Sequence, residues 1–223
     1  MLKSFLSLFL QSPCPLCDRN AQDILCSYCY SKLQSCRLKN HRQFWQGELP
    51  LFAWGWYGGA LKPIIAALKY ENHPELSEVL GHNLAEAWLN IPQFKQQKMI
   101  VVPIPMHSQK KRKRGFNQAE LIAQNFCQFT GLSCQPQGLE RLRETEAMYG
   151  LNPTQRQQNL VDAFGLGKSF RRRLPSAPVL LIDDIYTTGT TARATSQVLR
   201  NHGIKVIGIA AVAMTKFESS SKG

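Results

Sequence analysis

Two spacings of apolar residues run through this chain, and the changes from one to the other mark out its elements. Apolar runs with no polar break read as strands buried on both faces, the signature of a parallel sheet. They occur at Met99–Ile104, at Val179–Ile182 and from Lys205 to Met214. Leu51 to Tyr57 is an aromatic, alternating run stopped by Gly58-Gly59, and it predicts a further strand. Between the strands the spacing is helical. Ile64, Ile65 and Leu68 share one face of a predicted helix over Ala60–Tyr70, with Pro63 in the first turn where proline is tolerated. Leu76, Val79, Leu80, Leu84 and Trp88 do the same between Pro74 and Leu89. Asn117 with Glu120 forms a capping-box-like start for a helix carrying Leu121, Ile122, Phe126 and Phe129 to a stop at Gly131. Asn152-Pro153 opens another helix, and a last one runs from Thr190 toward His202 and Gly203. Pro103 and Pro105 are expected to end their strand near Val102 and start a rigid loop. Strands and helices in alternation predict an α/β fold with a central parallel sheet flanked by helices.

Composition narrows this picture in two ways. A hydrophobic share of 43% in 223 residues suits one α/β domain with a small appendage. The net charge of +12 is unevenly placed: residues 1–100 hold 10 Lys/Arg against 7 Asp/Glu, and residues 101–223 hold 17 against 8. A basic second half favours polyanions such as nucleic acid, or phosphate-rich small molecules. Leu2, Phe5, Leu6 and Phe9 fit one face of a short docking helix. That apolar stretch is too short, and too lightly preceded by charge, for a signal peptide. No run approaches the roughly 20 apolar residues of a bilayer span, so the expected protein has no transmembrane segment and is cytoplasmic.

Candidate chemistry lies in three places. Cys14-x-x-Cys17 and Cys26-x-x-Cys29 form two knuckles able to turn four thiolates onto one ion, a structural Zn²⁺ site. A pair of redox disulfides is the competing reading, and Cys36 is close enough to replace one ligand. Cys127 and Cys134 read as buried or spare thiols. The second place is the thirteen-residue stretch Val179–Thr191. A buried strand ends there in Asp183 and Asp184, and Thr187, Thr188, Gly189, Thr190 and Thr191 lead into a helix. Helix N-terminal amides and threonine hydroxyls make a phosphate cradle, while two carboxylates can accept bonds from vicinal ribose hydroxyls. A phosphate site one short loop from a diol site describes a sugar phosphate. The third place is cationic: Lys110, Lys111, Arg112, Lys113 and Arg114 on a loop, followed by Phe116, and Arg171, Arg172 and Arg173 on a loop or hairpin.

The stretch at 179–191 resembles the phosphoribosyl-pyrophosphate (PRPP) signature of type I phosphoribosyltransferases. The chain from 14 to 214 looks like the ComF family of competence proteins, which includes the GntX-like proteins. The resemblance rests on the paired Cys-x-x-Cys, Leu68-Lys69-Tyr70, Val102-Pro103-Ile104-Pro105 and Arg114-Gly115-Phe116-Asn117-Gln118-Ala119. It rests also on Leu142-Arg143-x-Thr145, Arg156-x-x-Asn159 and the run from Ile182 to Thr191. It implies a type I phosphoribosyltransferase-like fold over residues 49–216. It also implies a helix and zinc-ribbon segment over 1–48; the Ser-rich tail at 217–223 reads as disordered. It further implies a role in natural transformation, handling single-stranded DNA on the inner side of the uptake machinery, where association with the membrane's inner face fits.

By matching position, the resemblance has Asp183 and Asp184 bind the ribose and Thr187 to Thr191 the 5′-phosphate. Pro103 and Ile104 would face the pyrophosphate with its Mg²⁺, with Lys69 and Arg114 as counter-charges. Lys110–Arg114, Phe116 and Arg171–Arg173 are then the expected DNA contacts, with Phe116 or Trp45 stacking on bases. A helicase or pore component of DNA uptake is a further expected partner, docked by the Cys-bearing segment. Purine-salvage transferases commonly carry an acid where this chain has Thr187. Nucleotide binding is therefore the reading adopted, with turnover left open, and transfer of ribose 5-phosphate from PRPP to an unidentified acceptor is the alternative.

Overall fold

The computed structural model describes residues 12–143 and 161–216. The helix expected at the start of the chain, Thr145, the helix opening at Asn152-Pro153 with Arg156 and Asn159, and the tail at 217–223 lie outside the described residues. The first elements are a small antiparallel pair, β1 (Ser12–Pro13) and β2 (Asn20–Ala21), and helix α1 (Ser27–Gln34). Then come β3 (Leu51–Trp56), α2 (Leu61–Tyr70), α3 (Leu76–Leu89), the single turn α4 (Pro92–Lys95) and β4 (Ile100–Pro103). They are followed by α5 (Ser108–Arg114), α6 (Gln118–Thr130), β5 (Ser133–Cys134) and the antiparallel pair β6 (Leu139–Arg141) and β7 (Phe164–Leu166). The last are α7 (Lys168–Arg172), β8 (Val179–Tyr186), α8 (Thr190–Asn201) and β9 (Val206–Met214).

The main sheet has five strands in the order β3-β9-β8-β4-β5, every neighbouring pair parallel, as the unbroken apolar runs required. Successive strand residues point to opposite faces, and both faces are covered. Phe52, Trp54, Val101, Leu180, Ile182, Ala210 and Val212 meet α2, α3 and α6 on one side. Ala53, Val102, Val179, Leu181, Ile209 and Ala211 meet α8 and the β6–β7 pair on the other. Helices α3 and α6 cross closely at Gly81, where an added Cβ would lie 2.7 Å from the Asn125 Cβ and 2.8 Å from the Ile122 carbonyl.

Pro103 continues β4 one residue beyond the expected end, in register with Ile182. The Ile104 amide donates to Ile182 O at 2.8 Å, so the backbone of Pro103 faces the opposite side, where β5 has already ended opposite Val101. No donor is required there, and the missing N–H costs nothing.

The cysteine segment shares the first core. Cys14, Leu25, Cys26, Cys29 and Leu33 are buried with Phe52, Trp54 and Leu84. The chain leaving α1 then runs along the outer edge of β3: the Leu38 amide donates to Trp54 O, the Trp56 amide to Cys36 O, and the Leu51 amide to Phe44 O, at 2.9–3.1 Å. On the way Trp45 packs its ring edge-on against Trp88 and Phe94, at 5.5 and 4.9 Å between centroids.

Candidate functional site

The connections of the parallel strands locate a crevice. After β4 the chain crosses through α6, on the first face of the sheet, to β5. After β8 it crosses through α8, on the second face, to β9 on the other side. The adjacent strands β4 and β8 therefore send their helices apart, and in such sheets ligands bind outside the carboxyl ends of that strand pair. β8 also outruns its neighbour. Beyond Ile182 it pairs with β9 alone, through Asp183, Ile185 and Tyr186, leaving its β4 side unpaired where the two acids stand.

The Thr/Gly loop sits at the mouth of this crevice. Gly189 takes a left-handed φ of +73° and caps the twelve-residue helix α8. A Cβ there would lie 2.0 Å from the Tyr186 hydroxyl, so the position is closed to other residues by both conformation and space. Thr188 Oγ1 and Thr190 Oγ1 lie 2.6 Å apart, and Arg193 donates from Nη2 to Thr188 O at 2.8 Å. Thr187, Thr188 and Thr190 are exposed and Thr191 is half-buried. Amides at the positive end of a three-turn helix, beside two open hydroxyls, suit a phosphate group.

The acid pair is held differently on its two sides. Asp184 faces the α2 side, is 4% exposed and forms an ion pair with Lys69 from the last turn of α2. Asp183 Oδ1 accepts the Asp184 amide at 2.8 Å. Burial, with the Asp184 charge beside it, holds the Asp183 carboxyl well above the usual carboxylate range; the Asp184 amide and Lys69 oppose the shift more weakly. A carboxyl raised in the folded state stabilises the fold fully below its unfolded pKa, and loses that contribution as pH rises through the folded value. The wild-type urea midpoint is therefore expected to fall from about pH 4 upward through that raised value. Asp183→Asn flattens this slope; an unchanged slope in urea titrations would refute the assignment.

Next to Lys69, the Tyr70 ring lies 5.3 Å from the Arg114 guanidinium carbon, and Arg114 donates from Nη1 to Gln118 Oε1. Gly115 closes α5 in a left-handed turn, and Asn117 follows, 5% exposed. Its Oδ1 accepts the Ala119 amide at 3.1 Å and its Nδ2 donates to Ile104 O at 3.0 Å. Four separate sequence motifs thus meet at one end of the sheet: Lys69-Tyr70, Pro103-Ile104, Arg114 to Gln118, and the run from Asp183 to Thr191.

The basic residues are arranged otherwise than expected. Lys110 to Arg114 belong to helix α5, not to a loop; Lys110, Lys111, Arg112 and Lys113 are exposed, with Lys111 Nζ 2.7 Å from Glu120 Oε2. Arg171 and Arg172 lie on α7, where Arg171 pairs with Glu140 and donates to Leu166 O at 2.9 Å. Arg172 and Arg173 are exposed. The chain enters α5 from the end of β4 and leaves α7 toward the start of β8, so the two clusters attach to opposite ends of the sheet. Phe116 is half-buried against the first core, and Trp45 is half-buried in its aromatic cluster.

At the other end of the chain, Cys14, Cys17, Cys26 and Cys29 bring four sulfurs within 4.8 Å of one another. The Cys17–Cys26 and Cys17–Cys29 separations are 3.6 and 3.5 Å, near the ~3.8 Å edge of a tetrahedron with zinc–sulfur bonds of about 2.3 Å. The Cys29 amide donates to Cys26 Sγ and draws that thiol down to about 7, while burial pushes Cys29 up. The donor set fits a closed four-thiolate metal site. Cys36 is not part of it: its Sγ contacts the carbonyls of Lys32 and Gly58, at 3.7 and 3.6 Å.

No family model matches the chain. It is 29% identical over 157 residues to Competence protein F of Haemophilus influenzae, covering 70% of this chain and 68% of that protein. It is 25% identical over 211 residues to the DNA utilization protein YhgH of Escherichia coli K12, covering 88% and 87%. Its relatives are thus competence and DNA utilization proteins, in line with the ComF resemblance of its motifs. A more distant ComF relative, ComFC of Bacillus subtilis, is 23% identical over 150 residues, covering 66% of this chain and 56% of that protein. Among solved structures, the chain is similar to adenine phosphoribosyltransferase from Saccharomyces cerevisiae. That likeness has 14% identity and a TM-score of 0.40 over 61% of this chain and 68% of the other.

Tyr70, Tyr186 and Arg193 are site residues that the sequence alone did not assign. Tyr186 closes the signature strand, and its packing against Gly189 is not legible from the motif. Tyr70 stood in a quoted motif, yet an aromatic at a helix end gives no sign of which way it faces.

Proposed function

We propose that the chain serves DNA uptake or utilization by binding PRPP or a related nucleotide in the β4–β8 crevice and single-stranded DNA along α5. One observation carries the reading: the acid pair, its lysine partner and the threonine loop converge on the crevice beside an exposed cationic helix. Asp183 and Asp184 accept the ribose hydroxyls, and Thr187 to Thr191 with the first amides of α8 take the 5′-phosphate. Pro103 and Ile104 line the pyrophosphate side, where Mg²⁺ bound to that group offsets its charge. Lys69 pairs with Asp184 and holds it in place while the sugar is bound. The four cysteines hold a structural Zn²⁺ through Cys14, Cys17, Cys26 and Cys29. The names carried by the relatives, competence and DNA utilization, support the same assignment. A cytoplasmic location, and docking of a helicase or pore component, fit this role.

The test pairs two titrations. Calorimetry with Mg²⁺-PRPP is expected to lose at least tenfold in affinity in Asp183→Asn/Asp184→Asn, with binding to a labelled oligo-dT retained. Lys110→Gln/Arg112→Gln/Lys113→Gln is expected to weaken oligo-dT binding and keep PRPP. Each phosphate contact contributes about 0.7 to the salt slope of single-strand binding, so this triple variant flattens the slope by roughly 2. Wild-type protein that binds neither ligand would end the proposal.

A further inference from the structure

Phe116 and Trp45 are half-buried, so a single strand lying on α5 needs a more open surface for its bases. Tyr70 offers one. It is 76% exposed, more than any other large apolar side chain among the described residues; Tyr28 and Leu142 follow at 53%. It stands at the C-terminal end of α2, directly after Lys69, which turns inward to Asp184. The Arg114 guanidinium lies 5.3 Å from its ring and is itself tethered to Gln118, so this cation is fixed against the aromatic. Arg114 is also the last residue of the basic helix, four of whose preceding residues are exposed cations. An exposed ring with a guanidinium fixed against it is a preformed stacking surface, because a nucleobase has a π-face that either group accepts.

We propose that Tyr70, backed by Arg114, is the base-stacking platform on which single-stranded nucleic acid is held between the α5 cations and the acid pair. The inference rests on the proposed binding of single-stranded DNA to α5, and adds the residue that contacts a base. Phosphates on one side of the stacked nucleotide follow Lys110–Lys113. The sugar on the other side reaches toward Asp183 and Asp184, so the strand and a free nucleotide share the mouth of the crevice. Stacking is tolerant of sequence, so all four bases are accepted, and the neutral ring contributes no counterion release.

The experiment measures anisotropy of a labelled oligo-dT against salt for wild type, Tyr70→Ala, Tyr70→Phe and the α5 triple variant. Tyr70→Ala is expected to weaken binding about 5- to 150-fold at fixed salt with the salt slope unchanged. Tyr70→Phe keeps near-wild-type affinity, and the triple variant loses affinity and slope together. Tyr70 is so exposed that the melting temperature should hold in both single variants, which separates stacking from folding. If the triple variant weakens binding and Tyr70→Ala does not, the platform is refuted while DNA binding on α5 stands. If Tyr70→Ala lowers the slope as the triple variant does, Tyr70 acts only by positioning Arg114, and the platform is again refuted. A wild type that does not bind the oligonucleotide removes both readings.

Discussion

Lys69→Met is expected to destabilise the fold by about 3–5 kcal/mol, read as a fall in the urea midpoint at pH 7. The Lys69 and Asp184 side chains are 16% and 5% exposed, so the pair is withdrawn from solvent. Removing the lysine leaves Asp184 with no cation in contact, one residue from Asp183, whose carboxyl the same neighbourhood already keeps high. The loss is therefore the penalty of an uncompensated buried charge, not the worth of one ion pair. The double variant Lys69→Met/Asp184→Asn removes both charges and recovers most of the stability. On the proposed reading it does not recover PRPP affinity, because a neutral amide replaces the charged ribose acceptor at Asp184. A single variant less than about 1 kcal/mol below wild type, or a double variant no better than the single, would contradict the buried pairing.

The second large effect concerns the cysteines. Purified protein is expected to carry one zinc per chain by elemental analysis, and Cys14→Ser or exhaustive chelation should lower the melting temperature by about 10 °C. Sulfurs spaced for a tetrahedral ion repel and crowd one another once it is withdrawn, and structural zinc stabilises small thiolate sites strongly. Cys14 and Cys29 belong to the core shared with Phe52 and Trp54, so loosening the knuckles opens apolar surface far beyond the site. A few kcal/mol lost by a domain of this size gives a shift of that order, at about 2–4 °C per kcal/mol. Metal-free protein that melts at the same temperature with and without chelator would remove the zinc assignment.

How much of this was legible beforehand followed the range of the forces involved. β8, its acids and the turn into α8 are specified locally, by an unbroken apolar run, a glycine that must take positive φ and a helix start; the expected strand and helix are observed, with the strand running on through the acids to Tyr186. The helices α2, α3 and α6 were equally plain, because their apolar residues repeat at helical spacing over ten to fourteen residues. What escaped depends on partners distant in sequence. Lys69 at the end of α2 was expected as a counter-charge to pyrophosphate; that it reaches Asp184 is a fact of sheet order. The basic run was expected as a loop because adjacent cations repel, but Gly115 caps it as a helix and Glu120 offsets one charge. β6 and β7 have three residues each, too few to display any period. Phe129 was expected inside, yet it is 48% exposed and its ring rests on His82, outside the stripe that α6 buries.

The strap from Cys36 to Phe44 along β3 limits the kind of partner the molecule can take. A sheet normally offers its rims for recognition, by adding a strand from another chain to an unpaired edge. Here one rim is already taken by the chain's own backbone, and the other is β5, only two residues long. Among the described residues, recognition by strand addition, whether of a peptide or of a second copy, has no long unpaired edge of the main sheet to start from. A macromolecular partner of the main sheet would instead meet side chains on the helices that cover it.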